Sequence, residues 1–153
     1  MFQSYSRLDM IKRYLKKFVW HKNSLNENHE FGILVLTTTC LWKLNLTNNV
    51  EKVTSAIGKL EFDTADYAKD LNAYYHDFVG YCELGDVFKT LESEIDDDNA
   101  YLQLILFYSR SYVIPDIPSV DLLQKFHNSG KFVYDSIFFH EKVNNMVNSY
   151  FIY

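Results

Sequence analysis

Four aspartates, Asp63, Asp66, Asp70 and Asp77, recur at intervals of three, four and seven residues. On a helix of about 100° per residue they fall within about 60° of one another, on one narrow stripe. Carboxylates at i,i+3 and i,i+4 repel by roughly a few tenths of a kcal/mol per pair. Such a stripe costs stability unless a cation faces it, and its chemistry is to accept charge-assisted hydrogen bonds from guanidinium or ammonium groups. Tyr67, Tyr74 and Tyr81 project to about 60–100° on the same helix, beside the carboxylates. Ala68, Leu71, Tyr75, Phe78 and Cys82 project to the opposite side, as a core face does. Glu83 and Asp86 prolong the acidic run. The expected partner-binding residues are therefore Asp63, Asp66, Asp70, Tyr74, Asp77, Tyr81, Glu83 and Asp86, with the tyrosines supplying contact area.

The stripe belongs to a charge pattern sorted along the chain. Residues 61–98 hold twelve acids against Lys69 and Lys89, a net of −10. Residues 1–22 hold Arg7, Lys12, Arg13, Lys16, Lys17 and Lys22 against Asp9, a net of +5. The rest sums to zero, so these two blocks account for the whole net charge of −5. A surface shaped for solubility alone intersperses lysines among its acids. The alternative use of the stripe is internal: the basic N-terminal helix can dock against it.

Other chemistry lacks its usual spacing. His21, His29, His76, His127 and His140 make neither H-E-x-x-H nor E-x-x-H, and His76 projects away from the core face, so no metal site is expected. Cys40 and Cys82 lie outside any C-x-x-C, and two cysteines do not make a zinc site; they read as buried thiols. Gly58-Lys59 lacks the upstream glycine of a phosphate-binding loop. No catalytic residue and no cofactor is expected. An acidic chain is repelled by phosphate, so direct nucleic-acid binding is not expected either. The basic N-terminus precedes no apolar signal segment, and no run reaches the roughly 18 apolar residues of a membrane span. The expectation is a cytoplasmic protein without a membrane partner.

The elements that must position these residues read as helical. At 153 residues and 48% hydrophobic, the chain has the size and composition of one globular domain over residues 1–153. Leu8, Ile11, Leu15 and Phe18 repeat at helical spacing with Lys12, Arg13, Lys16 and Lys17 turned away. Val50, Val53, Ile57 and Leu60 repeat likewise after Asn48 and Asn49, which suit a helix cap. Residues 31–44 form a long apolar run, read as a buried helix on its length, although its β-branched residues also suit a strand. Residues 83–98 read as an acidic loop region. Asp96, Asp97 and Asp98 suit the start of a helix through Tyr101 and Ile105. Pro115 and Pro118 mark a connector. Ser119 opens a short helix ending near Gly130, and Phe132 to Phe151 reads as a long final helix. The expected fold is an all-α, single-domain bundle of six to eight helices.

This profile, small, acidic, aromatic-rich and without catalytic motifs, resembles bacterial immunity proteins and other inhibitors of toxic nucleases. The resemblance is one of type, and no residue is carried over from it. It implies a non-enzymatic antitoxin-like protein that neutralises a basic partner, a toxin nuclease domain, by occluding its active site. The segment Ile11-Lys12-Arg13-Tyr14-Leu15-Lys16-Lys17-Phe18-Val19-Trp20 resembles an early helix of poxviral Bcl-2-like proteins. That second resemblance covers ten residues and implies a helical regulator that takes a partner helix in an apolar groove.

Overall fold

The structure, a computed structural model, describes residues 6–36, 40–61, 84–96, 100–108 and 118–139. Helix α1 spans Arg7–Leu25. It starts on a capping box: the Asp9 N–H donates to the Ser6 hydroxyl oxygen at 3.1 Å, and the Ser6 N–H donates to the Asp9 carboxylate at 3.2 Å. Helix α2 spans Val50–Gly58, and the Asn49 side chain accepts the Lys52 N–H at 2.9 Å. Val50, Val53 and Ile57 of α2 pack with Val19 of α1 in a first buried cluster, at the spacing the sequence predicts.

The remainder overturns the all-α expectation. Among the described residues, four helices accompany four strands in two two-stranded sheets, a mixed α/β architecture. The apolar run at 31–44 is no helix. Strand β1, Phe31–Leu36, pairs antiparallel with β2, Cys40–Thr47. The partner that β1 needed is the segment that follows it, where Trp42-Lys43-Leu44-Asn45-Leu46-Thr47 alternates apolar and polar residues. The acidic region 83–98 is no simple loop: it contains α3, Leu84–Leu91, and a 3₁₀ turn, Glu92–Asp96. The expected helix through Tyr101 and Ile105 is instead β3, Leu102–Tyr108. The expected long final helix begins as β4, Phe132–Phe138. The β-branched and aromatic side chains of β3 and β4 suit a pleated ladder better than a helix, where they lose rotamer freedom.

Strands β3 and β4 run parallel, and α4, Val120–Ser129, lies between them in sequence. Parallel neighbours require such a crossover. Here α4 opens on Ser119, whose hydroxyl accepts the Leu122 N–H at 3.4 Å, and closes on Gly130 at φ 65°. Both ends stand where the sequence puts them. The second buried cluster sits under this unit: Val87, Phe88 and Leu91 of α3, Ile95 of the 3₁₀ turn and Phe126 of α4. Phe126 is 1% exposed and meets Phe88 and Phe132 edge-on, at centroid distances of 4.9 and 4.7 Å. Burying one phenylalanine so completely is worth about 2–3 kcal/mol.

The hairpin serves both clusters, and its register shifts twice, between Phe31 and Ile33 and between Ile33 and Leu34. Ile33 pairs with Leu44 and Leu34 with Trp42, so Lys43 is an extra residue on β2. Trp42 and Leu44, two apart in sequence, therefore reach opposite clusters: Trp42 joins Leu34, Leu36 and Cys40 against α3 and α4, and Leu44 joins Phe31 and Ile33 against α1 and α2.

Candidate functional site

Asp63, Asp66, Asp70, Tyr74, Asp77, Tyr81 and Glu83 lie outside the described residues. Asp86, the last member of the expected surface, stands in the first turn of α3, where an acid suits the helix dipole. Its carboxylate Oδ1 lies 3.6 Å from Lys89 Nζ one turn along. Both side chains are about half-exposed or more, so the pair adds at most about 0.5 kcal/mol. The Asp86 carbonyl accepts the Thr90 hydroxyl at 2.7 Å. Further along the acidic block, Glu92 Oε1 accepts from Lys125 Nζ at 2.9 Å, which ties the 3₁₀ turn to α4. The described end of the block is thus partly neutralised from within. Lys125, thirty-three residues away, could not be assigned to Glu92 from the sequence without the crossover that brings α4 back.

The basic helix α1 was expected either to be solvated or to dock against the acidic stripe. Two of its lysines have another task. Helix α2 carries no basic residue in its own last turn. Lys12 Nζ donates to the Gly58 carbonyl at 3.1 Å, and Lys16 Nζ lies 3.4 Å from where a β-carbon on Gly58 would stand. Both ammonium groups therefore sit at the negative end of the α2 dipole. The Arg7 guanidinium donates to the Phe139 carbonyl at 3.4 Å, and Lys22 Nζ lies 5.6 Å over the Phe18 ring. The C-cap residue of α2 is itself a lysine, Lys59, and Lys12 and Lys16 stand at i,i+4 on the neighbouring helix. Arg13 and Lys17 remain on the exposed side of α1 with Tyr14 and Trp20.

Hydrogen bonds from the Ser6 hydroxyl and then the Ser6 N–H hold the Asp9 carboxyl below the usual range, with a smaller contribution from Lys12. Burial raises the Tyr134 phenol, opposed by a hydrogen bond with Ser136. His29 Nδ1 lies 2.9 Å from the Lys22 carbonyl, which only accepts, so Nδ1 carries the proton. His21 and His127 are exposed, and His76, His140 and Cys82 lie outside the described residues. Cys40 sits half-buried at the edge of the second cluster. Among the described residues, no three His, Cys, Asp or Glu side chains gather as metal ligands, and no helix is long and apolar enough to cross a membrane.

Part of the segment expected as a long final helix instead forms a surface of the parallel sheet. On one face of β4, Val133 is exposed to 50% and Ile137 to 43%. On the face away from α4, Gln103 Nε2 donates to Asp135 Oδ2 at 2.8 Å among the apolar side chains. The pattern Phe132-Val133-Tyr134-Asp135-Ser136-Ile137-Phe138 carries the strand signal that could have revealed it.

Compared with models of known protein families and with characterised proteins, the chain matches none.

Proposed function

We propose that this chain is a non-enzymatic binding protein that neutralises a basic partner protein by covering its active site, as immunity proteins do with toxin nuclease domains. The observation that carries the reading is the acid excess of residues 61–98, twelve acids against two lysines. Within that block, Asp86 and Glu92 have lysine partners on this chain. The partner-facing role therefore rests on Asp63, Asp66, Asp70 and Asp77, with Tyr74 and Tyr81 beside them in the expected stripe. One basic side chain of α1, Lys12, instead donates to the Gly58 carbonyl at the end of α2. Opposed fields across an interface speed association by roughly 10- to 1,000-fold and fade with salt. The Bcl-2-like alternative implied an all-helical bundle, whereas the described residues form four strands beside their helices.

The experiment is capture of the partner from the native host at low ionic strength, followed by stopped-flow association with wild type and with Asp66→Asn/Asp70→Asn/Asp77→Asn. The triple variant keeps the far-UV circular dichroism of the wild type. Its association rate at low salt falls at least about tenfold, and the difference closes at high salt. An unchanged rate at low salt refutes the reading, as does a captured partner with an acidic binding face.

A further inference from the structure

We draw no further inference here: the strongest candidate, the apolar outer face of the parallel sheet carrying Ile105, Phe107, Val133 and Ile137, is an unpartnered sheet face, and nothing among the described residues shows what covers it.

Discussion

Trp42 lies across the strand from Gly32 so closely that a β-carbon at position 32 would stand 2.5 Å from the indole Cζ3. It would also stand 3.2 Å from Leu46 Cδ2. The indole occupies the space a side chain would take. Gly32→Ala gains a little strand propensity but forces a rigid ring to move. The expected net effect is a loss of about 1–3 kcal/mol, the usual cost of overpacking. Urea titration reads it as a lower midpoint at unchanged slope. Adding Trp42→Leu should recover part of the loss, because the two sites are in contact. A Gly32→Ala protein as stable as wild type would mean that the ring is not fixed there.

Phe126 anchors the α/β unit. Its ring is 1% exposed and meets Phe88 and Phe132 edge-on, so truncation removes burial and two aromatic contacts together. Phe126→Ala should cost about 3–5 kcal/mol. Phe126→Leu should cost distinctly less, since most of the volume stays. Lys125→Ala, one residue earlier, loses only the exposed pair with Glu92 and should cost under about 1 kcal/mol. Thermal unfolding of the three variants tests the ranking, and equal losses for Lys125→Ala and Phe126→Ala would contradict it.

These two sites show where the sequence was legible. Helices α1, α2 and α4 were readable because each has an apolar face at helical spacing, and α2 and α4 also have a cap residue where expected, Asn49 and Ser119. The strands were misread for a physical reason. A half-buried pair such as β1 and β2 is covered on both sides, so Phe31–Leu36 presents a continuous apolar run with no visible period. The alternation of Trp42 to Thr47, with the β-branched residues of the run, distinguished strand from helix. The parallel pair β3 and β4 was further hidden, because its ladder joins residues about thirty apart, such as Leu104 and Tyr134. Of the expected site, Asp86 alone is described, and its Lys89 contact was available from the i,i+3 spacing. Glu92 with Lys125 and Lys12 with Gly58 depend on tertiary return of the chain.

Gly130 ends α4 in the left-handed region, at φ 65°, and its N–H reaches the His127 carbonyl at 3.2 Å. A β-carbon there would meet nothing within 4 Å, so a substitution is charged only for backbone conformation. Gly130→Ala should lose about 1–2 kcal/mol, the cost of a left-handed L-residue. Gly130→Asn should lose less, because asparagine visits this region more readily. Equilibrium unfolding of both variants measures the order. If alanine and asparagine cost the same, the helix end is not held by the left-handed cap.

Asp9 couples the start of α1 to pH. The Ser6 hydroxyl donates to its carboxylate at 2.6 Å and the Ser6 N–H at 3.2 Å, so the charged form is favoured in the folded chain. A carboxyl whose folded value is depressed contributes stability that is fully present above its unfolded value. That contribution is lost as pH falls through the folded value. The loss therefore falls in the acid limb, below about pH 4. Asp9→Asn keeps an acceptor for Ser6 and removes the charge. The variant should be less stable than wild type at neutral pH, and the gap should close as the pH is lowered through that limb. Urea unfolding of both proteins across the acid range measures the gap. A gap that stays constant to the lowest pH would show that the carboxylate's ionisation contributes nothing to the cap.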